Sequence, residues 1–386
     1  MRFGLVYVNE IKYDDLAWVF VANEMDAEII DTGISVFSKS HDDAQKAAEM
    51  LLEKHIDIAI TMDFCPAVSD ACMITGARYM AWIYDSPQQE LYSDQVRNEC
   101  NYIYSFDRRQ VEEIRRLGAS HVFYQPLATN VMRNSGLVIN SIDEKRFACD
   151  VSFAGNLYVD DFYDKVTERA SDNLKKELDL IVSDAYGKWD GTGRIRGQLT
   201  KEAIDELLEI NGCGATDYKM SDDDFFSSRL ITRKLAYMER LDIVKRLSPK
   251  GLMFYTTTPG NICEGLGVSA LPPLSYDEDL PKLYNLSKIN LNISLHSIED
   301  GIPLRVFDIM GVGGFMLSNY QPAMDELFVI GQDIEVFHDI EELDDKVDYY
   351  LSHEDQRIKI ALQGYKTVSE KCSYDRQFAN MLKGLL

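Results

Sequence analysis

The sequence predicts two α/β domains, each a mostly parallel sheet covered by helices, the second interrupted by a helical insertion. Three patterns carry this prediction: strand and helix periodicities alternate over residues 1 to 127, give way to an almost wholly helical stretch at 160 to 248, and return beyond Leu252. Strands separated by helices need crossover connections, and crossovers favour parallel sheets buried on both faces. A length of 386 residues suits two domains carrying an insertion.

Phe3 to Val8 is the first strand. Asp14 to Met25 follows as a helix, with Asp14 and Asp15 in the first turn where the positive end of the dipole favours them. Ala44, Ala47, Ala48, Leu51 and Leu52 recur at the three-four spacing of a buried helical stripe. Ile56, Ile58, Ile60 and Met62 then alternate with period two, as a strand does. Further strands are expected at Arg78 to Tyr84, Asn101 to Phe106 and His121 to Tyr124, with a charged helix from Arg108 to Leu117 closed by Gly118. From Asn130 to Lys145 the pattern loosens around Asn134-Ser135-Gly136, which reads as a linker between domains at 1–130 and 146–373.

Asp150 to Phe153 opens the second domain and ends at Gly155-Asn156-Leu157. The insertion, 160–248, breaks near Gly187 to Gly197 and again at Asn211 to Gly214. Beyond it come a strand at Leu252 to Thr256, a helix at Asp277 to Ser287, a strand at Ile289 to Leu295, a helix from Pro303, a strand at Phe315 to Ser318, and terminal helices. The last of these, 374–386, gathers Phe378, Met381, Leu382 and Leu385 on one side.

Acidic side chains number 64 against 40 basic ones, for a formal charge of −24. A field of that sign repels nucleic-acid phosphates and anionic lipid, and no Lys/Arg run offsets it. Seven scattered cysteines, never spaced as CxxC, fit reduced thiols rather than a disulfide framework or a zinc site. The apolar start Met1 to Val8 meets Asn9, Glu10 and Lys12 at once, too soon for a signal core or a membrane span. A cytoplasmic protein with no membrane span and no nucleic-acid partner is expected.

The segment Lys288 to Tyr320 carries the most chemistry. Ile289, Leu291, Ile293 and Leu295 take one face of a strand, and Asn290, Asn292 and Ser294 the other. A loop, His296 to Gly301, leads to a helix whose first turn should contain Pro303, where a missing amide hydrogen costs nothing. The amides of Ile302, Leu304 and Arg305 would then face outward at the positive dipole end beside a guanidinium. That is an anion site at the carboxyl end of a parallel strand, where open α/β sheets place ligands. Asp300 and Asp308 bracket the turn with seven residues between them, and a carboxylate can accept both hydroxyls of a ribose. A helix with an acidic first turn would explain either aspartate alone; the polar strand face, Gly301, Pro303, Arg305 and the glycines at 311, 313 and 314 together favour a phosphate site.

This block resembles the donor-binding segment of GT-B glycosyltransferases, with Asp at both acidic positions where Glu is commoner. More narrowly, GIPLRVFDIMGVGGF followed by Asn319-Tyr320-Gln321 is similar to the spore-maturation, CgeB-like glycosyltransferases. Trp82 to Pro87, Phe106-Asp107-Arg108 and Tyr124 to Ala128 echo their amino-terminal domain. The resemblance implies a GT-B type fold, two Rossmann-like domains facing a cleft, and transfer of a sugar from a nucleotide-diphosphate sugar to a hydroxyl on a protein, polysaccharide or small molecule. It places Gly155, Asn156 and Leu157 under the diphosphate and Tyr255 and Thr256 beside the base. Arg305 and the helix start, Gly301 to Leu304, fall on the phosphates, Asp308 on the ribose, and Asp300 or its neighbour Glu299 nearer the sugar.

Asn292 and His296 complete this donor set, although a hydrogen-bonded loop histidine is the plainer description of His296. In the first domain Asp85 is the candidate base for the acceptor; it could instead cap a helix, and Asp63 and Asp107 also lie at strand ends. No cofactor or metal is implied, since GT-B proteins use helix dipole and basic side chains where other enzymes use a cation. The DxD spacing at Asp222-Asp223-Asp224 reads as a helix start. The terminal helix would cross back onto the first domain as a hinge element, so that truncation after Cys372 lowers activity more than donor affinity. A non-catalytic sugar-nucleotide or glycan-binding module and a nucleotide-sugar epimerase are the alternative functions.

Overall fold

The computed structural model describes residues 1–9, 15–215 and 218–385. Asp14, Glu10 and Lys12 of the predicted amino-terminal segment lie outside them, as does Leu386; the first helix is described over Asp15–Ala22. The chain forms two units. The first comprises Met1–Ala128, Ala215–Met220 and Ser373–Leu386, and the second Thr129–Gly214 and Ser221–Cys372.

The first unit holds a six-stranded sheet of β1 (Phe3–Tyr7), β2 (Ala27–Asp31), β3 (Ile58–Met62), β4 (Arg78–Ile83), β5 (Asn101–Ser105) and β6 (Val122–Tyr124), in the order β2-β1-β3-β4-β5-β6. Every pairing is parallel, as the strand-helix alternation predicts. Two elements were not legible in the periodicity. β2 is a half-exposed edge strand, so it offers no apolar run. The helix Pro66–Thr75 buries six of its first seven residues and so lacks an amphipathic contrast. Trp82, Tyr79, Tyr104, Phe64 and Phe106 fill the core. The helix Tyr374–Leu385 belongs to this core: Phe378 meets Phe3 and Phe20 edge-on at 6.0 and 5.3 Å, and the Tyr104 hydroxyl donates to the Met381 carbonyl at 2.7 Å.

The second unit holds a five-stranded parallel sheet of β7 (Cys149–Ala154), β8 (Leu252–Tyr255), β9 (Ser287–Asn292), β10 (Met316–Asn319) and β11 (Glu335–Phe337), in the order β11-β10-β9-β7-β8. The stretch read as a linker instead carries two short helices, Val131–Ser135 and Ser141–Phe147. The second is fixed by a capping box between Asn140 and Asp143, a signal present in the sequence at the expected spacing. β11, only three residues long, was hidden among the predicted terminal helices.

The insertion packs its own core, with Leu178, Leu207, Phe226 and Leu235 buried together. Its last helix, Thr232–Leu247, serves two cores: Leu235 faces the insertion, while Ile243, Val244 and Leu247 join the core around the sheet. Glu239 and Arg240 lie between these two apolar ends and are buried. Among the described residues no helix is long and apolar enough to cross a membrane.

Candidate functional site

The carboxyl ends of β7, β8 and β9 and the loop after β9 bring most of the predicted donor residues to one edge of the second sheet. Pro303 sits one position earlier than predicted. It is the cap (φ −69°, ψ 154°, extended), and the helix runs Leu304–Gly311. Leu304 and Arg305 therefore supply the first-turn amides, for which no preceding turn offers a carbonyl, while the Val306 amide donates to the Pro303 carbonyl at 3.1 Å. Ile302 is buried, so only its backbone could serve a ligand.

Arg305 and Asp308 stand three residues apart on one helix face. The buried Tyr284 hydroxyl feels the Arg305 guanidinium: its pKa is raised by burial and drawn back by that charge. The Tyr276 hydroxyl donates to Asp308 Oδ1 at 3.0 Å. Asp308 is therefore oriented by a phenol beside an arginine at the helix start, rather than lying on a solvated face. Packing explains two of the glycines that follow, since a Cβ on Gly311 would fall 1.8 Å from Thr129 Oγ1 and one on Gly314 2.5 Å from the Tyr284 carbonyl, whereas Gly313 takes a left-handed φ of +77°.

The structure adds a residue that sequence reasoning missed. Arg240 is 5% exposed, and its Nη1 donates to the Asn156 carbonyl at 2.6 Å and its Nη2 to the Ile293 carbonyl, joining the ends of β7 and β9. Its Nε is buried with no hydrogen-bond partner. The guanidinium lies 4.9 Å from the Tyr158 ring centroid. Burial pulls its pKa down to about 10, with the nearby charge of Arg305 acting in the same direction. Arg240 and, at the helix start, Arg305 thus bring two mutually repelling positive charges to this end of the sheet of an acidic protein. The sequence did hold a signal for this. Leu235 and Ala236, Glu239 and Arg240, then Ile243 and Val244 recur every four residues, so a charged pair interrupts a buried stripe.

Glu239, 1% exposed, is also engaged: it accepts the Gly187 amide and His296 Nε2, each at 2.8 Å. His296 stacks on Trp189, with ring centroids 5.6 Å apart. It is thus the hydrogen-bonded loop histidine of the plainer reading, set next to Arg240 through its neighbour on the helix. Glu299 lies 3.9 Å from Arg196, and the charge of Asp300 is felt at the Tyr320 hydroxyl. Glu299 thereby serves the insertion.

Other predicted residues do structural work. Asn292 is buried and donates to the Ser294 and Ser318 hydroxyls, both at 2.9 Å. Leu157 is a core residue whose amide donates to the Thr258 hydroxyl at 3.2 Å. Asn156 donates to the Thr257 hydroxyl at 2.8 Å, so what it turns to the corner is its arginine-bound carbonyl. Gly155 donates to the Tyr255 carbonyl at 2.9 Å and stands where a Cβ would be 2.7 Å from the Phe153 ring. Tyr255 and Thr256 are buried at the end of β8, where burial raises the Tyr255 phenol, and Gly301 is buried as well. In the acidic triplet, Asp223 accepts the Gly197 amide at 2.6 Å and Asp224 pairs with Arg196 at 3.0 Å, both roles within the insertion. Among the described residues no group of three His, Cys, Asp or Glu side chains is placed to hold a metal.

In the first unit the three candidate carboxylates separate by role. Asp107 caps the helix Arg108–Arg116 through the Arg109 amide at 3.0 Å. Asp85, in the turn after β4, caps no helix; the next element, Gln89–Tyr92, begins from Gln88 without a side-chain cap. Asp85 reaches solvent, yet the protein around its carboxyl holds it above the usual range through desolvation. Asp63, 3% exposed at the end of β3, is pushed up to about 8 by burial and then by the charge of Asp85. Between an unfolded value of about 3.9 and the folded one, the native state keeps a proton that the unfolded chain releases. Stability should therefore fall as pH rises from 4 to 8, at up to about 1.4 kcal/mol per pH unit from this group. Melts across that range should fall more steeply in wild type than in Asp63→Asn.

Residues 240–383 match a family model described as glycosyl transferase-like. No curated protein matches the sequence. A glycosyltransferase from Rickettsia africae ESF-5 shares 13% identity over 99% of this chain and 97% of its own, with a TM-score of 0.53. T4 phage BGT, solved with its UDP-glucose substrate, shares 10% over 100% and 98%, with a TM-score of 0.52. Anabaena HepE, solved with UDP-glucose, shares 10% over 100% and 99%, with a TM-score of 0.51. At such identities the likeness is one of fold, and that fold is the GT-B type. Sequence and fold point to one enzyme class, glycosyltransferase.

Proposed function

We propose that this chain transfers a sugar from a nucleotide-diphosphate sugar, of the UDP-sugar kind bound by BGT and HepE, to a hydroxyl on a protein or glycan acceptor, as a CgeB-like enzyme. The observation that carries the reading is the buried Arg240, which joins the ends of β7 and β9 and feels the charge of Arg305 in the first turn of the helix Leu304–Gly311. A diphosphate leaving group gains negative charge as its bond to the sugar breaks. Two fixed guanidinium groups and first-turn amides stabilise that charge without a metal ion, because they are oriented before the reaction begins. Asp308, held by Tyr276, accepts from the ribose, and Asp300 lies toward the sugar. Asp85 takes the acceptor proton.

Release of UDP from UDP-glucose, with water as acceptor, tests this function. Slow release that falls at least about tenfold in Arg305→Ala is expected, a loss of one charge-assisted contact or about 1.5–3 kcal/mol. Binding without release would favour the non-catalytic module, and a second nucleotide sugar appearing without release would favour the epimerase. Asp308→Ala should weaken UDP binding by about tenfold in a thermal-shift titration while leaving the melting point of the unliganded protein nearly unchanged.

A further inference from the structure

Asp63 plays no part in the donor site, and two observations single it out. It is a non-glycine residue with φ +61°, a left-handed conformation that aspartate tolerates better than most residues but that still costs energy in a strand end. Its Oδ1 accepts the amides of Tyr84 at 2.7 Å and Asp85 at 3.2 Å, so one buried carboxyl ties down both residues leading into the turn after β4. The Asp63 amide donates to the Trp82 carbonyl at 2.8 Å, which locks the two strand ends from the other side.

We propose that Asp63 is a positioning residue for Asp85: it fixes the backbone that presents the Asp85 carboxylate and couples its own proton to the charge there. This rests on the reading of Asp85 as the base of sugar transfer. In that step the acceptor O–H proton passes to Asp85, the acceptor oxygen bonds to the anomeric carbon, and the bond from that carbon to the diphosphate oxygen breaks with its electron pair leaving on the phosphate.

The charged groups felt at Asp63 are themselves acidic, Asp85 and Glu90. Around the turn, the Ser86 hydroxyl donates to Asp107 at 2.7 Å, and the Tyr84 hydroxyl meets that of Tyr374 at 2.9 Å. Two carboxyl groups in such surroundings do not both ionise easily, so the buried one keeps the proton and the exposed one carries the charge. Above the pH at which Asp63 also ionises, its repulsion makes Asp85 a stronger base, and transfer should quicken.

Carbon-13 labelling of aspartate carboxyls in the full chain tests the coupling without reference to activity. The expected result is one signal that titrates well above the ordinary ~3.9, is missing in Asp63→Asn, and moves to lower pH in Asp85→Asn. UDP release from UDP-glucose then tests the use of the coupling. Wild type should rise at least about twofold across the span where that signal titrates, Asp63→Asn should be flat over the same span, and Asp63→Ala, which also removes the acceptor for both amides, should lose at least about tenfold in kcat with the KM for UDP-glucose within about twofold. An Asp63 signal with an ordinary midpoint, or one unmoved in Asp85→Asn, would overturn the coupling. Coupled titration with release indifferent to Asp85→Asn would instead overturn Asp85 as the base, and with it the role given to Asp63.

Discussion

Arg240→Ala should weaken UDP binding by about 100-fold or more, the largest single effect expected anywhere in the donor site. A hydrogen bond to a charged group is worth about 1.5–3 kcal/mol, and a guanidinium offers a phosphate two such bonds at fixed spacing. Arg240 also anchors the Asn156 and Ile293 carbonyls, so its removal leaves two acceptors at the ends of β7 and β9 unsatisfied. That should lower stability by about 1–3 kcal/mol for each group left buried. Arg240→Lys separates the two contributions. It keeps the charge but has no planar fork to reach both carbonyls and a ligand together, so binding should fall to an intermediate level. Melting curves recorded beside the titrations show whether lost affinity reflects the site or the fold.

Truncation after Cys372 should unfold the first unit. Tyr374, Phe378, Met381 and Leu385 are all buried in it, and Phe378 alone packs on two phenylalanines. Emptying one buried phenylalanine position costs about 3–5 kcal/mol, already comparable to the ~5–15 kcal/mol that holds a typical domain folded. The helix also supplies the Met381 carbonyl to Tyr104 and the Leu385 carbonyl to Arg78, at 2.7 and 2.9 Å. Limited proteolysis should find the first sheet degraded and residues of the second unit protected, with UDP binding retained. The hinge role expected from the sequence predicts loss of activity above loss of affinity. The observed packing leads to the same ordering for a different reason, because the helix is part of a core. Phe378→Ala in the full chain should lower stability by about 3–5 kcal/mol.

The turn and helix of the proposed donor corner were legible because their signals are local. Gly301, Pro303, Arg305 and Asp308 lie within one turn and one helix, and the helix begins one position later than expected, with Pro303 as cap instead of first helical residue. Arg240 was not legible in the same way. It lies in another helix, and its neighbours Asp242, Lys245 and Arg246 make the segment look like a solvated face. Only the placement of that helix against two cores, one at Leu235 and one at Ile243, buries it. Asp63 is a second case. Nothing in Thr61-Met62-Asp63-Phe64 marks a left-handed residue, and its amide partners at 84 and 85 follow from the pairing of β3 with β4. Periodicity located most of the strands but not the half-exposed edge strand β2 or β11, which is three residues long.

Calorimetric titration of the full chain with UDP and with UMP isolates the role of the arginines, since the two ligands differ by the phosphate that Arg240, Arg305 and the helix start are proposed to hold. UDP should bind at least about tenfold tighter than UMP in wild type, with that advantage lost in Arg240→Ala. Equal affinities for UDP and UMP, or an advantage that persists in the folded Arg240→Ala variant, would contradict it.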